Sequence, residues 1–331
     1  MDDVVLELDH LHTHFFTDSG EIPAVDGVSL KIHKGEVVGI VGESGCGKSV
    51  TSLSIMRLVP EPPGKIVSGN ILFKGEDIVK ATNRRMRKIR GNEIAMIFQE
   101  PMTSLNPLFT IGDQLIEAIR NHNKLSKKAA RLKAINMLNK VGIPRADQIV
   151  DEYPHQLSGG MRQRVMIAMA MSCDPELLIA DEPTTALDVT IQAQILDLMK
   201  KLNKELGSAI LLITHDLGVV SEICQRVIVM YSGKVVEESD VRTILKEPKH
   251  PYTQGLIRSL PKIHTKEERL YSIPGQVPKP GSIKVGCRFA PRCEQVMEKC
   301  YEVTPELVTV SEGHTCRCFL YSEESEGSKD E

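Results

Sequence analysis

The residues best placed to do chemistry begin at Gly42. Gly42-Glu43-Ser44-Gly45-Cys46-Gly47-Lys48-Ser49 fits G-x-x-x-x-G-K-[ST], the phosphate-cradling loop. Its glycines let successive backbone N–H groups turn toward one anion, and a following helix adds its positive end. Lys48 would reach the β- and γ-phosphates of a nucleotide, and Ser49 would offer its hydroxyl to Mg²⁺. Against the plainer reading, a glycine turn ending in Lys-Ser, stands the context: apolar Val37–Val41 leads in and helix-compatible Ser49–Leu58 leads out. A second group lies where Leu177-Leu178-Ile179-Ala180 runs into Asp181 and Glu182. There Asp181 would help hold Mg²⁺ through water, and Glu182 would orient and polarise an attacking water. Gln99 and His215 also end apolar runs, Ile94–Phe98 and Ala209–Thr214. Strand carboxyl ends of a parallel sheet converge on one ligand crevice. Gln99 could meet metal or water there, and His215 could donate to the γ-phosphate. Either residue alone reads more simply as a satisfied polar group.

Two further groups stand apart. Leu157-Ser158-Gly159-Gly160 opens a helix with Ser158 as N-cap, and its glycines leave the first N–H groups open. Of eight cysteines, Cys46, Cys173 and Cys224 stand singly and read as incidental or as small buried apolar residues, whereas Cys287, Cys293, Cys300, Cys316 and Cys318 crowd the end. The gaps of five, six and seventeen residues (287 to 293, 293 to 300, 300 to 318) are not those of a C-x₂-C zinc ribbon. Four thiolates can hold a [4Fe–4S] cluster or a structural Zn²⁺. In a reducing compartment such a cluster favours metal over disulfides.

The elements that must position these groups alternate in kind. Residues 4–36 read as short strands with one buried face, joined by the turn Thr17-Asp18-Ser19-Gly20, with Phe15 and Phe16 just before it. Either ring could stack on a base or be a buried strand aromatic. Pro60–Gly64 breaks the chain, and Ser68–Gly75 reads as a strand and turn. The basic run Arg84, Arg85, Arg87, Lys88 reads as a solvated helix face before an acidic-partner patch. Leu115, Ile119, Leu132, Ile135, Leu138 and Val141 carry helical periodicity across 112–142, and Val165, Ile167, Ala168 and Met171 do so after the glycines. Helix 190–206 presents Ile191, Ile195, Leu198, Leu202 and Leu206. Residues 225–237 make a hairpin around Ser232-Gly233. Fully apolar strands alternating with helices predict a mainly parallel α/β sheet covered on both faces. From Glu247 prolines recur, and Ser322–Glu331 is polar enough to expect disorder.

The totals exclude several classes. A net charge of -3 gives no basic field for nucleic acid. Aromatics at 4%, without Trp, give little material for stacking platforms. No run approaches the roughly 20 apolar residues that span a bilayer. Met1-Asp2-Asp3 lacks a signal-peptide pattern. The expectation is a chain of about two domains that stays in the cytoplasm and serves a membrane by docking on another protein.

Taken together and in order, Gly42–Ser49, Gln99, Leu157–Gly160, Leu177–Glu182, Ala186-Leu187-Asp188 and His215 resemble the nucleotide-binding subunit of an ABC transporter over roughly residues 4–240. The resemblance implies an α/β P-loop NTPase (ABC ATPase) core with an antiparallel β subdomain. It also implies a helical subdomain insert at about 101–165, hinged at Gln99, and a cysteine-containing C-terminal extension. The domains would be 1–246 and 247–331. It implies an ATP hydrolase working as a head-to-tail dimer, with a second copy or a paralogue, and ATP sandwiched between Gly42–Ser49 of one subunit and Ser158–Gly160 of the other. Nucleotide contacts would come from Phe15 (Phe16 as alternate), Gly42, Ser44, Gly45, Cys46, Gly47, Lys48, Ser49, Val50, Gln99, Ser158, Gly159, Gly160 and Asp188. Mg²⁺ would fall to Ser49, Gln99 and Asp181, and catalysis to Glu182, His215 and Lys48.

The tail narrows the resemblance. His250-Pro251-Tyr252-Thr253, Ile273–Pro278 and Cys287–Cys293 resemble the extension of dipeptide/oligopeptide importer ATPases, with nickel importers as near neighbours. Glu43-Ser44-Gly45 suits the same subfamily. By this resemblance Cys287, Cys293, Cys300 and Cys318 are the cluster ligands and Cys316 is extra, with iron–sulfur ahead of zinc and of bare thiols. The cluster's role would be structural, for a segment with little core of its own. The implied partners are integral-membrane permease subunits at the cytoplasmic face of the membrane and, indirectly, an extracytoplasmic peptide-binding protein. Two other readings compete. A soluble ABC ATPase acting on DNA would insert long coiled coils between Ser49 and Leu157, where only ordinary helices fit. A redox or metal sensor would need exposed cluster chemistry.

Overall fold

The computed structural model describes residues 3–18, 20–99, 104–185, 187–260 and 271–322. Ala186, the start of the expected helical insert and, beyond Ser322, the expected disordered tail lie outside the described residues. No helix among the described residues is long and apolar enough to cross a membrane. The chain groups into two compact units, one of Met1–Glu7, Lys31–Val37 and Ile71–Ile213, the other of Leu8–Leu30, Val38–Asn70 and Thr214–Glu331.

In the first unit, β6 (Ile94–Ile97), β7 (Leu177–Asp181) and β8 (Ala209–Thr214) pair in parallel, with Ile94 opposite Leu177 and Asp181 opposite Ile213. Every residue of β7 and β8 is buried, as strands covered on both faces must be. The helices α3 (Ile111–His122), α4 (Lys127–Lys140) and α5 (Gly159–Met171) pack together. Their N-caps are Thr110, Ser126 and Ser158, whose side chains accept from the N–H groups of Asp113, Ala129 and Met161. The expected periodicity holds at Leu115, Ile119, Leu138 and Val141 but fails at Leu132, which is 62% exposed. In α4 the buried stripe is Ala130, Ala134, Met137 and Leu138, because alanines bring this helix close to its neighbours on a face that leucine spacing does not mark. Helix α6 (Val189–Leu206) buries Ile195, Leu198 and Leu202 as expected. On α2 (Asn83–Ile89), Met86 and Ile89 are buried, while Arg85 bridges Glu76 and Glu93.

In the second unit, β3 (Val37–Val41) pairs in parallel with β9 (Arg226–Tyr231), and β9 returns as the antiparallel β10 (Lys234–Asp240). The long strands β1 (Val4–Thr17) and β2 (Gly20–His33) are neighbours, with β1 also beside β4 (Gly64–Phe73). They replace the several short strands that the turn residues suggested. The C-terminal extension shares its core with β3, β9 and β10. It adds β12 (His314–Cys316) antiparallel to β10, with Cys316 opposite Glu237, and β11 (Val308–Ser311) beyond it. Tyr252 and Phe289 join Val41, Val229 and Tyr231 in one buried cluster, against which Cys287 and Cys293 pack. Cys173 and Cys224 are half-buried rather than buried.

Candidate functional site

The predicted residues fall in both units. Phe15, Gly42–Val50, His215 and the terminal cysteines lie in the second; Gln99, Ser158–Gly160, Asp181, Glu182 and Asp188 lie in the first.

In the second unit, β3 delivers the chain into Gly42, and α1 (Lys48–Ile55) leaves with Gly47 as its N-cap. Two glycines are required by packing as well as conformation. Gly42 has φ 155° and a Cβ there would sit 2.3 Å from the Met230 carbonyl oxygen; Gly47 has φ 103° and its Cβ would sit 2.4 Å from that of Ala24. Lys48 is buried at 6% exposure, and its ammonium donates to the carbonyls of Gly42 (2.7 Å) and Glu43 (3.1 Å). The Cys46 thiol lies 3.7 Å from Lys48 Nζ; burial pushes its pKa up against the pull of that ammonium, so the group stays a neutral packing element. The Cys46 carbonyl accepts from the N–H of Gly233, in the β9–β10 turn. Phe15 is half-buried with its ring against Gly64, and Phe16 is half exposed. His215 is exposed, one residue beyond β8.

In the first unit, Asp181 closes β7 and is buried. Glu182 follows in the left-handed region, φ 48°, a conformation that costs a non-glycine residue about 1–3 kcal/mol and clusters at functional sites. Its carboxylate accepts from Gln99 Nε2 (3.2 Å) and from the Thr185 hydroxyl (2.9 Å), while its N–H donates to Ile213. The structure thus brings Gln99 to Glu182, a pairing between two strand ends that the sequence placed separately. Ser158 and Gly159 are exposed at the start of α5, and a Cβ on Gly159 would meet nothing within 4 Å. Asp188 is the exposed N-cap of α6 and accepts from the Ile191 N–H.

Three groups escaped sequence reasoning. Gln163, wholly buried on α5, donates to the Pro183 carbonyl and so ties the Ser158 helix to the turn that carries Glu182. Its signal was present, since a glutamine on an apolar helix face needs a partner. Tyr252 and Arg292 both hold Glu43, and nothing local marks a bond across 209 or 249 residues.

Cys287, Cys293, Cys300 and Cys318 line one small cavity with Phe289 and Phe319. Cys316 is not in its lining; it is buried in β12. Burial raises the pKa of Cys287 and Cys293 and pushes that of Cys318 up to about 11. The donor set suits an iron–sulfur cluster or zinc. Yet among the described residues no group of three or more His, Cys, Asp or Glu side chains is arranged to hold a metal ion. The expected thiols are collected, but not in ligating geometry.

A glycine loop opening a helix, and a buried strand ending in two carboxylates, define a phosphate-loop NTPase. Residues 25–185 match the ABC transporter family, and residues 236–300 match the oligopeptide/dipeptide transporter C-terminal region. The oligopeptide transport ATP-binding protein AppD of Bacillus subtilis is 58% identical over 97% of this chain and 98% of that relative. The dipeptide transport ATP-binding protein DppD of the same organism is 51% identical over 97% of this chain and 96% of its own length. Among solved structures, the dimeric post-hydrolysis state of the ATP-binding cassette MJ0796 bound to ADP and Pi superposes with TM-score 0.64 at 30% identity, over 72% of this chain and 99% of that one. The chain belongs to the ABC transporter family of ATPases.

Proposed function

We propose that the chain is the ATP-binding subunit of a dipeptide or oligopeptide importer, hydrolysing ATP to drive a membrane permease. The observation that carries this reading is the likeness to the oligopeptide/dipeptide transporter C-terminal region, continuous with 58% identity to an oligopeptide transport ATP-binding protein. Each residue then has a role. Phe15 stacks on the adenine. The N–H groups of Gly42 and Ser44–Val50 cradle the phosphates, and Lys48 moves its ammonium from the Gly42 and Glu43 carbonyls to the β- and γ-phosphates. Ser49, Gln99 and Asp181 would hold Mg²⁺, which would supply positive charge against the phosphate oxygens. Glu182, already engaged by Gln99 and Thr185, orients the attacking water and accepts its proton, while His215 donates to the γ-phosphate. Ser158, Gly159, Gly160 and Asp188 serve the nucleotide of a second ATPase subunit, identical or paralogous.

In this reading residues 1–246 are the ATPase and 247–331 the extension. The helical insert at about 101–165 meets the permease at the cytoplasmic face, and an extracytoplasmic binding protein delivers the peptide. Cys287, Cys293, Cys300 and Cys318, which line one cavity, would have to close into ligating geometry to hold a [4Fe–4S] cluster, with zinc as the alternative. Protein purified without oxygen would then be brown, with about four irons per chain; colourless protein containing zinc would assign the other metal. Deleting the gene tests the importer reading. Peptide uptake should be lost and sugar uptake spared. Intact peptide uptake with lost nickel uptake would overturn the cargo.

A further inference from the structure

We infer that Arg292, from the C-terminal extension, is a positioning residue for the nucleotide: it holds the phosphate loop in shape through Glu43. The inference rests on the reading that Gly42–Ser49 binds ATP.

All three polar parts of Glu43 are engaged. Its carboxylate takes a two-pronged bond from Arg292, Nη1 to Oε2 at 2.7 Å and Nη2 to Oε1 at 3.1 Å. Its N–H donates to the hydroxyl of the fully buried Tyr252 at 2.8 Å. Its carbonyl accepts from Lys48. Arg292 is itself fixed: its side chain is 4% exposed, Nε donates to the Pro274 carbonyl at 2.9 Å, and Nη1 lies 3.3 Å from the Tyr231 hydroxyl. Burial alone would lower the pKa of this guanidinium; the Glu43 carboxylate and Tyr231 outweigh it and keep the charge in place. A planar fork on a carboxylate restrains orientation as well as distance.

The consequence concerns Lys48. When its ammonium turns to a phosphate, the Gly42 and Glu43 carbonyls lose their shared donor. A loop supported only by Lys48 would relax at the moment it has to present its N–H groups to the anion. Arg292 and Tyr252 hold Glu43 by bonds that Lys48 does not share, so the cradle keeps its form with ligand present. Preorganised donors bind an anion more tightly because less ordering is left to do on binding.

The test is a double-substitution cycle on the full chain, reading the ATP dissociation constant and the turnover at saturating ATP. Arg292→Met and Glu43→Gln should each weaken ATP binding about tenfold, the scale of a charged hydrogen bond, with turnover changed less than about threefold. The double variant should be no worse than either single one, because both break the same link. Unchanged ATP affinity in the folded single variants, or effects that multiply in the double, would overturn the inference. Where Arg292→Met does not fold, Glu43→Gln alone decides, since its side chain is partly exposed. Lys48→Ala separates this inference from its premise. Lost ATP binding upholds the phosphate-loop reading whatever Arg292 does, whereas normal binding removes that reading and the inference with it.

Discussion

Two glycine-bearing turns can be compared directly, the phosphate loop of the second unit and the Ser158–Gly160 turn of the first. In the loop, glycine is demanded from within: at Gly42 and Gly47 a Cβ would drive into backbone carbonyls, and positive φ excludes other residues. At Gly159 nothing within 4 Å would meet a Cβ. The first turn is built to its final shape by its own unit. In the second, a Cβ on Gly160 would come 3.1 Å from Ile191 of the same unit, but Gly159 has room to spare, so whatever makes glycine useful at that position lies outside the unit. In the proposed function, another ATPase subunit's nucleotide would approach this surface and supply that reason.

Breaking the comparison gives graded outcomes. Gly42→Ala should have the largest effect. Strained backbone with a Cβ 2.3 Å from a carbonyl oxygen should cost about 3 kcal/mol or more, read by thermal or chemical melting, and should remove ATP binding. Gln163→Met comes next. Losing the bond to the Pro183 carbonyl should cost about 1–2 kcal/mol and lower turnover more than ATP affinity, because Pro183 adjoins Glu182. Gly159→Ala should leave the melting point unchanged or raised, since alanine is the better helix former by up to about 1 kcal/mol. Turnover should still fall; a Gly159→Ala protein with full activity would show that nothing approaches this turn. Arg131→Ala is the smallest. Its paired bonds to Asp151 at 2.7 Å lie on an exposed surface, and their loss should cost no more than about 1 kcal/mol.

Legibility in the sequence followed the range of the interaction. The phosphate loop, the run into Asp181 and Glu182, and the cap Ser158 are local patterns, in which the residues that shape the element are also the signal. Leu132 misled because the buried stripe of α4 is made of alanines, whose smallness rather than hydrophobic size allows helices to approach. Strands β11 and β12 were hidden in a segment read for its prolines and cysteines, although Val308–Ser311, the Glu312-Gly313 turn and His314–Cys316 form a hairpin pattern. The partner of β12 is β10, with Glu237 opposite Cys316, nearly eighty residues earlier, and no local rule gives that pairing. The same holds for the grip of Arg292 on Glu43.

In the proposed function Glu182, set by β7 and held by Gln99 and Thr185, performs hydrolysis on ATP that the glycine loop binds. Measuring ATP affinity and ATP turnover for Glu182→Gln in the assembled ATPase tests it most directly. Affinity should stay within about twofold of the unsubstituted protein, and turnover should be lower by about 10²–10⁴-fold. Undiminished hydrolysis by that variant would contradict it.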